Sequence, residues 1–194
     1  MIGYELTRGL AYQSIKHRDM HWYTRTTPLA LALIVTAGVI LLPNPPILLG
    51  KDGLVAGSLS VLSTLPGFYF AGLAAVATFS GMNMDAAMPA PAPRVRVRVG
   101  GTSSAIDLSR RQFLSYLFSY LVLLSFGLCV ASLGLAAATP SILELKSDIL
   151  AHGHATSWAF VRGAGIFGYA AVASSIFVTT LHGMFFLTER IHQP

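Results

Sequence analysis

Charge is scarce in this chain. Only 11% of its 194 residues are Asp, Glu, Lys or Arg, where a soluble domain carries about 25%. With 54% of the residues hydrophobic and a mean hydropathy of +0.63, there is too little polar side chain to keep a core of that size in water. Cysteine is scarcer still: the lone Cys129 excludes an intramolecular disulfide, a cysteine zinc site and a thiol redox pair. Inside an apolar block it reads as a small buried hydrophobe. Acidic residues are missing from the long apolar blocks until Glu189, at the end of the last. An intramembrane aspartyl protease, a carboxylate proton relay and a cation-coupled carrier would all lack their central group. Ser and Thr are plentiful, but hydroxyls in such blocks usually bond to their own helix backbone. These absences point away from an enzyme.

Histidine does not fill the gap. Haem held by two histidines needs ligands inside two facing spans, and only His182 lies within an apolar block. His152 and His154 form an H-x-H pair, short of the four ligands of a structural zinc. The expectation is a chain without cofactor or resident metal. No internal repeat is visible either, which removes support for an inverted-repeat transporter.

What is present is a set of apolar blocks at 28–49, 54–79, 113–138 and 158–187, each supplying the roughly 20 apolar residues that a bilayer core demands. The first is interrupted by Pro43-Asn44-Pro45-Pro46, so its helix is predicted to stop near Leu42. Residues 1–27 precede it and no small-x-small cleavage site comes after it, unlike a cleaved signal peptide. The fold class is therefore an all-α membrane protein, a four-transmembrane-helix bundle with a short β-strand or hairpin in its middle loop. Its segments are an amphipathic amino-terminal stretch (1–27), helices 1 and 2 (28–79), a basic Pro-rich loop (80–112), helices 3 and 4 (113–187) joined by an amphipathic loop (139–157), and a tail (188–194).

Orientation is set by where the 13 Lys and Arg fall. Arg8, Lys16, Arg18, Arg25, Arg94, Arg96, Arg98, Arg110, Arg111 and Arg190 belong to one side, Lys51 and Lys146 to the other. The positive-inside rule then predicts a multi-pass protein of a bacterial inner membrane with both termini and the middle loop in the cytoplasm. The same loops account for the net charge of +5 without a nucleic-acid partner, and no direct nucleic-acid binding is expected. Trp22 and Tyr23 before the first span and Trp158 at the fourth fit the two interfaces.

Outside the spans, Ile2, Leu6, Leu10 and Ile15 fall near one face of a possible surface helix. Ser109 and Gln112 make an S-x-x-Q capping box for the third span, and Pro140 is predicted to lie just past its end. Ser141 to Glu144 repeats the capping pattern ahead of Leu145, Ile149 and Leu150, which predicts a short separate helix on the far side. Arg110 and Arg111 sit in a twin-arginine-like Ser109-Arg-Arg-Gln-Phe-Leu114 and read as topology anchors, since no folded domain comes after them to be exported.

The middle loop is the most informative stretch. After Pro89, Pro91 and Pro93 it reads Arg94-Val95-Arg96-Val97-Arg98-Val99, which places three arginines on one face of a strand and three valines on the other. Gly100-Gly101 ends it. A lone strand is unstable in water, so it must pair. Three readings stand: a solvated positive loop, a docking edge for a cytosolic protein or a neighbouring copy, and a contact for anionic lipid headgroups.

Arg162 is the one basic residue inside a span, about a turn beyond Trp158. It either snorkels to the outer interface or, in an oligomer, rings a pore mouth that favours anions. Small-residue pairs at Ala164/Gly168, Ala170/Ser174, Ala171/Ser175 and Gly127/Ala131 allow close helix approach; within one subunit they would serve the bundle, and their number leaves some for neighbours, which predicts a homo-oligomer in the lipid bilayer.

In size, number of spans and a cytoplasmic side built to face an effector, the whole chain resembles the small four-span membrane subunit of the bacterial Kiwa antiphage system. That resemblance implies assembly in the membrane and engagement of a cytosolic effector, and it transfers no site residue. The function expected is a non-enzymatic oligomeric inner-membrane scaffold or sensor that recruits a cytosolic partner in antiphage defence, with partner-binding residues Arg94 to Val99. The alternative is a small oligomeric channel with Arg162 at its mouth.

Overall fold

The computed structural model describes residues 8–17, 20–78, 84–88, 91–99 and 102–189. Among these, four helical segments are long and apolar enough to cross a membrane: Trp22–Leu41, Leu54–Thr78, Arg110–Ala151 and Ala155–Thr188. The chain is an all-α bundle of these four with a small hairpin at one end.

The first segment begins with a π-helical turn, Trp22–Thr26, and continues as α1, Thr27–Leu41. It stops at Leu42, ahead of Pro43-Asn44-Pro45-Pro46, as those prolines dictate. The second segment is broken into α2, Leu54–Leu62, and α3, Leu65–Thr78. Pro66 is the cause: its ring cannot pass the carbonyl four residues back, on Leu62, and it brings no N–H. The chain turns through Ser63 and Thr64 before resuming.

The third segment is a single helix, α4, Arg110–Ala151. Its start is as expected, with both bonds of the capping box formed: Ser109 Oγ accepts from the Gln112 N–H, and the Gln112 side chain accepts from the Ser109 N–H, each at 3.2 Å. Its end is not, because the helix runs through Pro140 and no separate far-side helix exists. One missing backbone bond costs about 3 kcal/mol. Ending the helix there and starting another would instead leave four carbonyls and four amides without intrahelical partners, so continuity wins. The helix α5, Ala155–Thr188, returns antiparallel, with Phe113 against Phe186 (ring centroids 4.9 Å) and Leu117 against Gly183.

Between α3 and α4, β1, Arg94–Val99, pairs antiparallel with β2, Thr102–Asp107, from Arg94 opposite Asp107 to Val99 opposite Thr102. Gly100 and Gly101 lie outside the described residues. The alternation works as predicted: Val95 is 1% exposed and Val97 partly buried, while Arg94 and Arg96 face out.

The amino-terminal stretch departs from expectation. It is a tight 3-10 helix, Arg8–Ser14, with Ile2 and Leu6 outside the described residues. Leu10 is exposed, and it is Ala11, Tyr12 and Ile15 that are buried. At three residues per turn Tyr12 and Ile15 fall on one face, and that face packs onto α4 instead of lying on a lipid surface. The core gathers here, where Tyr12, Val95, Leu108, Leu114 and Leu117 are all nearly inaccessible.

Candidate docking site

The hairpin is held from three directions. Its valine face sits on the core. Its first residue exchanges both main-chain bonds with Lys16: Lys16 N–H to the Arg94 carbonyl, 2.8 Å, and Arg94 N–H to the Lys16 carbonyl, 3.1 Å. Arg8 donates from Nη1 to the Arg96 carbonyl, 3.1 Å, donates from Nη2 to the Tyr116 hydroxyl, and lies over the Tyr116 ring, 5.0 Å from its centre. The amino-terminal stretch therefore clamps β1 to α4.

Below the clamp, Gln13 donates to the Tyr120 hydroxyl at 2.8 Å, and Tyr12 stacks on Tyr120 with ring centroids 5.2 Å apart. The Tyr12 hydroxyl is fully buried and, among the described residues, makes no hydrogen bond. Burial pushes its pKa well above the usual phenol range, so it stays neutral.

On the outward face, Arg94 Nε meets Asp107 Oδ1 at 2.6 Å, both side chains being largely solvent-exposed. Arg96 stands opposite Ala105 and, among the described residues, has no acidic partner. The side chains of Arg98 and Val99 lie outside the described residues; their backbones continue the register opposite Ser103 and Thr102. The six predicted positions thus do form one strand, and from Arg94 to Val97 its basic and apolar faces are separated.

A second clasp lies beside the hairpin. Arg111 grips Asp85 with Nε and Nη2, at 2.7 and 3.1 Å, and donates from Nη1 to the carbonyls of Val76 and Ala77, at 3.0 and 3.2 Å. The fork of donors from Arg111 holds the exposed Asp85 carboxyl below its ordinary range. Arg111 therefore ties the end of α3 to the start of α4, a role beyond that of a topology anchor. Asp85 and Asp107 border a polar cleft with Ser109 and Gln112.

No family model, no curated protein and no solved structure matches this chain.

Arg162 stands two turns into α5, half-buried, and among the described residues makes no hydrogen bond or ion pair. His152 Nδ1 lies 3.4 Å from Asp148 at the α4–α5 turn, and no cluster of three or more metal-binding side chains exists among the described residues. Cys129 is only half-buried and lines an open apolar groove with Leu59, Phe126 and Leu133.

Proposed function

We propose that this chain is a non-enzymatic, oligomeric scaffold or sensor of a bacterial inner membrane, with its termini and hairpin in the cytoplasm, and that it recruits a cytosolic protein. The observation that carries this reading is the arginine face of β1, held by Lys16, Arg8 and the core while Arg96 has no acidic partner among the described residues. A preorganised charged surface loses little entropy on binding and selects acidic partners. The orientation is supported by the gathering of Arg8, Lys16, Arg94, Arg110 and Arg111 at one end of the bundle.

Oligomerisation is supported by two of the four small-residue pairs that predicted it; Ala170 and Ser174 are buried within the subunit and Ala171 and Ser175 are half-buried. Ala131, Ala164, Gly127 and Gly168 are exposed on the helices, and a Cβ placed at either glycine would meet nothing within 4 Å, leaving those surfaces for neighbouring copies. Antiphage defence is the process that the Kiwa-like architecture suggests.

Co-purification with the product of the neighbouring gene tests the reading. Arg94→Glu, Arg96→Glu and Arg98→Glu together should abolish retention of that partner; unchanged association would refute the docking claim. A second reading, an oligomeric pore, is favoured by one observation: Arg162 has no ion-pair partner among the described residues. A planar-bilayer current whose anion preference is lost in Arg162→Glu would support it, and electrical silence would count against it.

A further inference from the structure

We infer that the partner adds an extended, acidic segment as a third strand along the outer edge of β2, placing its carboxylates within reach of Arg96. This rests on the docking reading above and sharpens it from a charged face to a particular main-chain edge. The decisive geometry is the alternation of backbone direction along an antiparallel ladder, in which a residue's N–H and C=O point to the same side and successive residues point to opposite sides.

Arg94 directs both groups at Lys16, away from β2. Arg96 and Arg98 must do the same, and the Arg96 carbonyl is already taken by Arg8. That edge of β1 is largely closed. Val95 and Val97 point the other way, into β2, where they oppose Ile106 and Ser104; the Leu108 N–H bonded to the Pro93 carbonyl at 3.0 Å continues the same phase. Ser103, Ala105 and Asp107 consequently aim their N–H and C=O outward. Among the described residues the sheet has only two strands, the bridge of Ala87 to Ser109 lies beyond the end of β2, and Ser103, Ser104, Ala105 and Asp107 are all exposed. An edge of this kind is a template for strand addition.

Charge selects the occupant. Arg94 reaches across to β2 and finds Asp107. Arg96, two residues on, reaches over Ala105 and finds no carboxylate among the described residues. A strand beside β2 with acidic side chains on this face would pair with Arg96 over the small Ala105, whereas a basic strand would be repelled. Valines or similar residues on its other face would continue the apolar surface of Val97 and Ile106.

The full chain, held in nanodiscs of zwitterionic lipid, is titrated with a short blocked peptide alternating glutamate and valine. The acidic peptide should bind and slow amide exchange at Ala105, while its lysine counterpart should not bind. Ala105→Pro removes an outward N–H without touching the β1–β2 ladder and should weaken binding about tenfold, the scale of one lost hydrogen bond. The same loss should appear with unaltered protein when the peptide amides that face β2 are methylated, which guards against misfolding of the variant.

Arg96→Glu should weaken binding by about tenfold or more. If Arg96→Glu weakens it while Ala105→Pro and amide methylation do not, the strand-addition claim falls and the docking face survives. If none of these matters, both fall. Displacement of the peptide by phosphatidylglycerol vesicles, or an Ala105-dependent dimer formed without peptide, would overturn the proposal in favour of lipid or a second copy.

Discussion

The two ends of the α4–α5 pair are built from the same apolar alphabet and behave in opposite ways. At the hairpin end Leu117 is fully buried and Phe113 and Phe186 are 3% exposed, locked against each other and against Gly183. At the far end Leu143, Leu145, Phe160 and Val161 are more than half exposed. Length explains part of the difference. At about 1.5 Å per residue, the 42 residues of α4 span about 63 Å, twice a hydrocarbon core of about 30 Å. The companion α1 segment runs only from Tyr23, beside His182, to Ile40, beside Gly163, so α1 does not accompany α4 and α5 beyond that level. The lesson is that hydrophobicity marks what leaves water, while neighbouring glycines and polar clasps mark what packs against protein.

The contrast is broken most sharply by cavity mutations. Leu117→Ala should cost about 2–5 kcal/mol, whereas Leu143→Ala should stay within about 0.5 kcal/mol, both read from unfolding in detergent. Comparable losses at the two sites would mean that the far end is packed as well. A smaller effect tests whether every part of the far side is soft. A Cβ at Gly53 would stand 2.6 Å from the Leu48 carbonyl oxygen, so Gly53→Ala should destabilise the turn into α2 by about 1–3 kcal/mol, visible as a lowered melting temperature.

The smallest effect belongs to the Asp85–Arg111 clasp. Its carboxyl pKa is depressed in the folded chain, so the contribution is present above the unfolded value of about 3.9 and is lost as pH falls through the lower, folded value. Stability should therefore drop as the medium is taken below about pH 4, and Asp85→Asn should flatten that acid limb in a pH series of thermal melts.

Much of this was readable from residues. The four spans, the stop at Leu42, the capping box at Ser109 and the split faces of Arg94 to Val97 all come from local rules of period, proline and cap. The break at Leu62 was equally local, since Pro66 lies four residues on, but it was hidden within a continuous apolar run. Pro140 misled because proline usually marks a helix end, and nothing local shows when the helix will bear its cost and run on. The Arg94–Asp107 pair could have been counted out around Gly100-Gly101. Tyr12 could not, because its burial depends on a 3-10 period that no hydrophobic pattern announces. The Arg8–Arg96, Lys16–Arg94 and Arg111–Asp85 contacts join segments far apart in the chain, and no periodicity encodes them.

The central claim is that the rigid basic end faces the cytosol, where a partner can reach it. Single-cysteine labelling tests this most directly: in a Cys129→Ser background, Ser103→Cys and Asp148→Cys are exposed to a membrane-impermeant maleimide in cells with a permeabilised outer membrane. The account predicts that Asp148→Cys labels before lysis and Ser103→Cys only after it. Labelling of Ser103→Cys from outside would contradict it.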